Sequence, residues 1–505
     1  MNPFQILLAM AGYMALLVVI SLITGRKSDN ATFFTANRNS PWLVVAIGMI
    51  GASISGVTFV SVPGKVGFDQ WAYLQMVFGY LLGYLVIATV LMPLYYRLNL
   101  ISIYSYLEQR FGGVSYRTGA VFFLISRLLG SSLRLYLVAL VLQLAVFDPL
   151  GLPFGLNVLL SIGLIFVYTF RSGVQTVIWT DMLQTFAFVA GAGAVVWLIG
   201  RELNLGAGEL VRTVSESAYS QVGHWDWSKG NHFFKQFTGG AFIALTMTGL
   251  DQDMMQKNLT CRTLRDAQKN MLTFSAVLVL VNMLFLSLGT LLYVYGEQTG
   301  IVQAVFEPGC AVKIADPATG ELICRSRTDE LFPLLAFNHL GPAVALLFVI
   351  GIIAAAYSSA DSALTALTTS FCIDLLGFKA HMQSTRHRNI RIGVHIGFAL
   401  LMVFIVIGAR SLNNPAVIDT IFDVATYTYG PLLGLFAFGM LTRYRIRDAW
   451  APLVCLLAVA LTYLIQLNSP RWGYTFSFEK LPLNALLTMA GLWVIRTRGE
   501  SSPVV

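Results

Sequence analysis

The 505-residue sequence predicts an all-α protein that is integral to a membrane. Apolar residues make up 56% of the chain and charged residues only 11%, less than half the roughly 25% of a typical globular protein. Because a spanning helix takes about 20 mostly apolar residues, this content could fill more than ten spans. The composition excludes a disordered chain, a secreted disulfide scaffold and an ordinary soluble enzyme. The net charge of +8 fits basic loops beside a membrane better than a nucleic-acid-binding face.

Apolar segments of the chain predict about thirteen transmembrane helices. The first segment resembles a secretion signal in its position, but its basic residues Arg26 and Lys27 follow the apolar run. That order is typical of an uncleaved span whose N-terminus is outside. The thirteen segments are 4–24, 41–62, 73–96, 118–146, 157–170, 174–199, 236–255, 270–295, 341–375, 392–408, 420–441, 449–467 and 483–496.

The distribution of basic residues predicts the orientation of these spans. Loops assigned to the inside carry 20 of the 33 Lys and Arg residues, whereas loops assigned to the outside carry 11. Since short cytoplasmic loops are enriched in Lys and Arg, we expect a multi-pass cell-membrane protein with its N-terminus outside and its C-terminus cytoplasmic. Cys310 and Cys324 then share one outer loop, where they could form a disulfide; two free thiols are the alternative.

Two of the spans contain residues typical of broken helices. The second span is crowded with small and hydroxyl residues, and the seventh span, 236–255, is rich in Gly and Thr in its first half. Interrupted segments at matching places in two five-span halves indicate an inverted-repeat transporter with a site at mid-membrane. Close helix packing through small residues is the alternative. The second span contains Gly51, Ser53, Ser55, Gly56, Thr58 and Ser61.

The ninth span carries a stripe of oxygen-bearing side chains. Five of them recur at steps of 3, 1, 3 and 4 residues, which places them on one face of a helix. Hard cations such as Na⁺ prefer oxygen ligands, as Ca²⁺ and Mg²⁺ do. Hydrogen bonds from Ser and Thr to their own helix are the alternative. The stripe consists of Ser358, Asp361, Ser362, Thr365 and Thr369.

Charged residues within spans need a partner, an ion or a cavity. Asp181 lies well inside the sixth span, and Arg127 and Arg134 lie seven residues apart on one face of the fourth. The arginines could bind an anionic substrate, or pair with Asp residues, or one could extend to a lipid headgroup. Asp251 and Asp253, at the end of the seventh span, are typical of solvated helix ends or gate ion pairs.

From about residue 5 to 450 the sequence resembles the sodium:solute symporter family of sodium–sugar, sodium–proline and sodium–sialic acid cotransporters. The resemblance implies a leucine-transporter-type fold in a single domain, 1–505. That domain would comprise an extra helix (4–24), two inverted repeats (41–200 and 236–441) and two C-terminal helices (449–496). It rests on TFFTANR (32–38), GASISGVTFVSVPGK (51–65), SYLEQRFG (105–112), VIWTDMLQTF (177–186), DQDMMQKNLTCRT (251–263) and AAYSSADSALT (355–365).

The same resemblance implies Na⁺ as the coupling ion. Some members bind a second Na⁺, and the matching positions here are Asp181, Asp361 and Ser362. Because Asp361 replaces a Ser or Thr of those members, a proton carried by one of the two carboxylates is the alternative at this second site. The first Na⁺ would be held by the carbonyls of Gly51, Ile54 and Ala355 and the hydroxyls of Ser358 and Ser359.

The expected substrate pocket differs from the pockets that the resemblance implies for sugar and sialic acid transporters. Ala244, Met247 and Gln70 replace an Asn, a Tyr and a Glu of sugar transporters, and Gly130 aligns near an Arg of sialic acid transporters. The two arginines of the fourth span favour an anionic sugar or a carboxylate. The expected pocket residues are Ser53, Ser55, Thr58, Gln70, Tyr73, Thr246, Arg127 and Arg134.

We therefore expect a sodium-coupled symporter that imports a small polar organic solute by alternating access. It would work as a monomer in the lipid bilayer and bind no nucleic acid. A proton-coupled symporter of the same fold is the alternative. A membrane enzyme is a remote alternative, because the six His residues show no metal-ligand spacing on one helix. The absence of a GxxxxGK[ST] loop argues against ATP as the energy source.

Overall fold

The computed structural model describes residues 3–24, 39–169, 173–307, 310–316, 319–325, 327–378, 384–411 and 417–500. The motif at 32–38 lies outside the described residues, and so do five basic residues used for the orientation: Arg26, Lys27, Arg38, Arg171 and Lys379.

The described part of the chain is mostly helical, and its few strands lie in loops. The strands are β1 (Val302–Glu307), β2 (Cys310–Ala315), β3 (Leu322–Arg325), β4 (Tyr444–Ile446) and β5 (Arg496–Glu500). The helices are α1 (Pro3–Thr24), α2 (Trp42–Ser53), α3 (Gly56–Asp69), α4 (Ala72–Arg97), α5 (Ser105–Arg110), α6 (Gly113–Phe147), α7 (Phe154–Thr169), α8 (Gly173–Glu202), α9 (Ala207–Glu216), α10 (Phe233–Ala244), α11 (Gln252–Asn258), α12 (Leu264–Gln298), α13 (Leu331–Asn338), α14 (Gly341–Leu375), α15 (Thr385–Gly408), α16 (Val417–Leu441), α17 (Ala451–Asn468) and α18 (Lys480–Val494).

The spanning helices confirm the membrane fold. Nine described helices are long and apolar enough to cross a membrane, and the bent pair α2–α3 would make a tenth. The predicted spans 157–170, 236–255 and 483–496 coincide with shorter helices. The total of thirteen stays a prediction.

The second predicted span is broken at its centre. Helices α2 and α3 are bent by 57° relative to each other. Ile54 leaves helical geometry with a ψ of 108°, and the Ser55 hydroxyl accepts the amide N–H of Val57 at the start of α3. Because the last carbonyls of a helix have no amide partner within it, the end of α2 presents free carbonyl oxygens at the break.

The seventh predicted span is interrupted as well. Helix α10 continues into a π turn, Leu245–Gly249, and helical geometry stops at Leu250 and Asp251 before α11 begins. The Asp251 carboxylate caps α11 by accepting the amide N–H groups of Asp253 and Met254, at 2.9 and 3.3 Å. Both segments that the sequence marks are thus broken, while the inverted repeat itself stays a prediction.

Helix α14 forms the centre of the protein. Its residues from Ile352 to Ser370 are all buried, and it contacts α2, α3, α6 and α8. A helix that is buried on every side is expected in the middle of a large membrane domain. Small residues such as Ala354, Ala355 and Ala356 allow neighbouring helices to approach closely.

One loop outside the helices is held by a covalent bond. Strands β1, β2 and β3 form an antiparallel sheet between α12 and α13. Cys310 of β2 and Cys324 of β3 form a disulfide across it, which is the pairing that the sequence suggests. The other three cysteines, Cys261, Cys372 and Cys455, are buried and free.

Asp329, in the turn before α13, should make stability depend on pH. Its carboxylate is buried and accepts the amide N–H of Val417 at 2.9 Å. Burial raises the pKa of Asp329 to about 6, nearby Asp419 adds to this, and the Val417 hydrogen bond and Lys65 oppose it. A raised pKa means that the folded state favours the protonated form, so stability falls as pH rises from about 4 through 6.

We expect Asp329→Asn to remove this pH dependence. Between pH 4.5 and 7.5 the wild type should lose about 2 kcal/mol more stability than the variant, because about one and a half units of the pKa shift lie within this range. Thermal unfolding midpoints across this range measure the difference. Parallel curves for the two proteins would contradict the prediction.

Candidate functional site

A cavity lies beside the break between α2 and α3. It has a volume of about 70 Å³, and a larger vestibule of about 750 Å³ lies next to it. Tyr73, Ile418 and Phe422 line both spaces, so these three side chains form the partition between them. A cavity of this size holds a few water molecules, whereas pockets for organic ligands measure roughly 300–1,000 Å³.

Most of the predicted pocket residues line this cavity. Ser53, Ser55, Thr58, Tyr73, Arg127 and Arg134 all do. Gln70 instead lines the vestibule and donates to the carbonyl of Ala218 at 2.8 Å. Thr246 is fully buried and donates to the carbonyl of Phe242 at 2.8 Å.

Other lining residues escape the sequence analysis. Thr248 lines the cavity in place of Thr246, together with Ala244 one turn earlier, because residues four apart share one face of a helix. Asn282 also lines it, and an Asn in the middle of the apolar segment 270–295 was a signal that could have found it. Tyr80 and Tyr84 complete the polar lining but resemble ordinary core tyrosines in sequence.

Arg127 reaches the cavity but is paired with two carboxylates. One of its guanidinium nitrogens hydrogen-bonds Asp253, and another lies 3.7 Å from Asp251. The Tyr429 hydroxyl donates to Asp251 as well. All four side chains are buried. Of the alternatives for Arg127, the structure shows ion pairing with Asp residues.

Lys257 carries the second buried positive charge of this network. Its ammonium lies 2.7 Å from Asp181 and 3.8 Å from Asp253. Asp181 also accepts a hydrogen bond from Ser358 at 2.5 Å, and Asp253 accepts one from Ser362 at 2.6 Å. Lys257 was not predicted as a site residue, because it lies just beyond the predicted span 236–255. Its side chain is nevertheless only 1% exposed, and it lies four residues after Asp253.

The residues expected to bind the first Na⁺ lie between α2 and α14. Gly51, Ile54, Ala355, Ser358 and Ser359 are all buried. A Cβ on Gly51 would collide with the Thr185 hydroxyl and lie 3.0 Å from that of Ser358, so the α2 backbone closely approaches these oxygens. The free carbonyl end of α2 and two hydroxyls supply the oxygen donors that a hard cation needs.

Arg134 differs from Arg127 because it is not neutralised. Its guanidinium lines the cavity and donates to the Ser359 hydroxyl at 3.1 Å. It forms no ion pair with any residue in the described ranges. The structure therefore brings one uncompensated positive charge to the cavity. This charge is in direct contact with Ser359, one of the expected Na⁺ ligands.

The residues expected at a second ion site form hydrogen bonds and ion pairs with different partners. Asp181 contacts Lys257 and Ser358, and Ser362 contacts Asp253. Asp361 is fully buried on α14. No cluster of three or more His, Cys, Asp or Glu side chains in the described part of the chain has the geometry of a metal site.

Comparison with known proteins identifies the family. The profile of the sodium:solute symporter family matches residues 33–447. The chain belongs to the sodium:solute symporter family. It is thus a membrane transporter and not an enzyme, as the sequence predicts.

Relatives within the family transport different solutes. The human sodium/iodide cotransporter is 28% identical over 83% of this chain and 62% of its own length. This chain therefore spans about three fifths of that relative. The sodium/sialic acid symporter NanT of Aliivibrio fischeri is 23% identical over 86% of this chain and 83% of its own.

A solved structure shows the fold of this family member. It is the substrate-bound outward-open state of a Na⁺-coupled sialic acid symporter, and it superposes with a TM-score of 0.78 at 19% identity over 97% of both chains. The leucine-transporter-type fold is confirmed.

The Lys257–Asp181 pair should be strongly coupled. We expect Lys257→Met and Asp181→Asn each to destabilise the protein by about 3–5 kcal/mol, because each leaves a buried charge without its partner. The double variant should lose less stability than the two single variants lose in sum. Thermal unfolding in choline buffer measures all three variants.

Lys229→Met is the matched control for this cycle. Lys229 pairs with Asp226 at 3.8 Å, but its side chain is 68% exposed, so its loss should change stability by under about 1 kcal/mol. Additive effects in the Lys257–Asp181 double variant would show that the two residues do not interact.

Proposed function

We propose that this family member is a sodium-driven symporter of a small organic anion, with a carboxylate as the recognised group. The observation that carries the proposal is the unneutralised Arg134 guanidinium in the cavity. A planar guanidinium binds a carboxylate with two parallel hydrogen bonds. The relatives named sodium/sialic acid symporter and sodium-coupled monocarboxylate transporter carry anions of this class.

The break between α2 and α3 also favours an anion in the cavity and a cation at the end of α2. The N-terminus of α3 begins at Gly56 beside the cavity, with Ser55 as its cap, and helix N-termini attract anions. The C-terminal end of α2, with Gly51 and Ile54, presents carbonyl oxygens to a cation. One broken span thus offers its positive end to the anion and its negative end to Na⁺.

Ser359 links the two sites. Its hydroxyl oxygen accepts the hydrogen bond from Arg134 and is also one of the expected Na⁺ ligands. A Na⁺ ion on Ser359 would compete with Arg134 for this oxygen and repel the guanidinium towards the cavity. A carboxylate on Arg134 would relieve that repulsion. Since coupling between two sites is reciprocal, each ligand should raise the affinity for the other.

Solute would enter through the vestibule and leave on the opposite side. We place the vestibule outside, in agreement with the basic-residue distribution. The partition formed by Tyr73, Ile418 and Phe422 must move to admit an organic anion, because the cavity alone holds about 70 Å³. The ion pairs of Arg127 and Lys257 would close the cytoplasmic path until the two halves of the transporter move.

Arg134→Gln should weaken anion recognition, while the protein should still bind Na⁺. We expect at least a tenfold weaker apparent affinity for the anion, from the loss of a charged bidentate contact. Thermal stabilisation by pyruvate, N-acetylneuraminate and iodide, each in Na⁺ and in choline, provides the measurement. Arg410→Gln, outside the cavity, is the control, and equal anion responses in both variants would refute the assignment.

Ser359→Ala should weaken the coupling between the two ligands. Removing the shared oxygen should lower Na⁺ affinity and should reduce the effect of Na⁺ on anion affinity to less than about threefold. The measurement is anion-dependent stabilisation at several Na⁺ concentrations. Thr462→Ala, a buried hydroxyl that donates only to the Ala458 carbonyl, is the control. If Na⁺ raises the anion affinity of Ser359→Ala as much as that of the wild type, Ser359 is not the shared ligand.

A further inference from the structure

An asparagine in the middle of α12 lines the cavity beside the helix break. Asn282 is only 2% exposed, and Leu278, one turn earlier on the same helix, lines the cavity as well. A polar side chain inside an apolar span is costly unless it pairs with another group or faces a cavity. Each polar atom of the Asn282 amide is therefore expected to have a partner.

Only one half of this amide has a partner among the residues that the structure describes. The amide nitrogen of Asn282 donates to the carbonyl of Leu278 at 2.8 Å, whereas the amide oxygen is buried without a hydrogen-bond donor. Exchanging the two atoms would place the amide oxygen against the Leu278 carbonyl, where two acceptors would repel each other. The orientation of the amide is thus fixed, and Asn282 has an unused acceptor.

Helix α6 supplies unused donors to the same cavity. The Arg134 guanidinium has no carboxylate partner in the described ranges. The Nε–H of Arg127 is buried without an acceptor there, although other nitrogens of this guanidinium contact Asp251 and Asp253. The cavity therefore combines donors on α6 with an acceptor on α12, and a solute that satisfies all of them must itself carry both acceptors and a donor.

Water inside the cavity leads to the same requirement. The cavity of about 70 Å³ has room for a few water molecules, and one of them can donate to the Asn282 oxygen. A solute that enters displaces this water. If the solute has no donor of its own, the exchange leaves the oxygen unpaired and lowers the affinity. A site that hydrogen-bonds a hydroxyl therefore discriminates against the analogue that lacks it.

We propose that Asn282 selects solutes that carry a hydroxyl or N–H group in addition to the carboxylate. The inference rests on the proposed function, since Arg134 holds the carboxylate, and it narrows the solute to a hydroxylated or N–H-bearing acid. Iodide and unsubstituted fatty acids have acceptors only, so they leave the Asn282 oxygen unpaired. Asn282 is thus a specificity-determining residue and not one of the expected Na⁺ ligands.

Two pairs of acids with matched chain lengths test the proposal: L-lactate with propionate, and D-gluconate with hexanoate. Thermal stabilisation of the purified full-length protein in Na⁺ gives the apparent affinity for each acid. In the wild type, the hydroxy acid of at least one pair should bind at least about tenfold more tightly than its partner. In Asn282→Leu that ratio should fall below about threefold, because the hydroxy acid loses its acceptor while the unsubstituted acid no longer leaves an oxygen unpaired.

The matched control is Asn484→Leu. Asn484 is also fully buried, and its amide nitrogen donates to the Thr426 carbonyl at 3.3 Å. Its amide oxygen likewise has no donor in the described part of the chain, but it lies in α18 and does not line the cavity. This variant should keep the wild-type ratio. Asn282→Ala is a second variant with the same expected loss, in case Asn282→Leu fails to fold, and unfolding midpoints in choline must match the wild type for any variant that is counted.

The outcomes separate this proposal from the proposed function. If Asn282→Leu keeps the wild-type ratio while Arg134→Gln weakens the binding of every acid, Asn282 does not select the solute and the proposed function stands. If Asn282→Leu removes the preference while Arg134→Gln binds all four acids like the wild type, selection by Asn282 is supported and the role of Arg134 is wrong. Equal affinities within both pairs in the wild type contradict the selection, and a wild type that none of the acids stabilises overturns both.

Discussion

A buried network of alternating charges connects three of the helical segments that surround the cavity. Lys257 and Arg127 lie between the carboxylates of Asp181, Asp251 and Asp253, and these residues come from α6, α8 and the broken seventh span. Single buried charges are prohibitively costly in a membrane, so every helix that contributes one is tied to the others. The break before α11 depends on the same network, because Asp251 is also the cap of that helix.

The network and the proposed sodium site meet on α14. Ser358 donates to Asp181, and the adjacent Ser359 accepts from Arg134. Two consecutive residues of one helix therefore contact a negative group on one side and a positive group on the other. A cation bound to both hydroxyls would alter both contacts at once, which is why ion binding is expected to affect the anion cavity and the charge network together.

The sequence was sufficient to predict the fold and to mark the polar segments of the spans, because lipid leaves few alternatives for polar residues. The broken second span and the hydroxyl stripe of the ninth both lie at the centre of the structure. The exact pocket residues were harder to predict. Thr246 and Thr248 have similar sequence surroundings, and which of them faces the cavity depends on the rotation of the helix about its own axis, which a single sequence does not specify. Likewise, whether Arg127 or Arg134 is neutralised depends on α11, whose orientation a single sequence does not specify.

The π turns have a consequence for how this family can vary. Each of the turns Ile87–Leu91, Gln143–Phe147, Leu245–Gly249 and Phe371–Leu375 accommodates one residue more than an α-helical turn does. Gaining or losing one residue there rotates only the part of the helix beyond the turn, by about 100°. Lineages could therefore exchange the side chains that face a solute through single-residue insertions or deletions, without altering the remainder of the scaffold. Single-residue gaps at such turns, rather than substitutions alone, are where pockets of distant relatives would diverge.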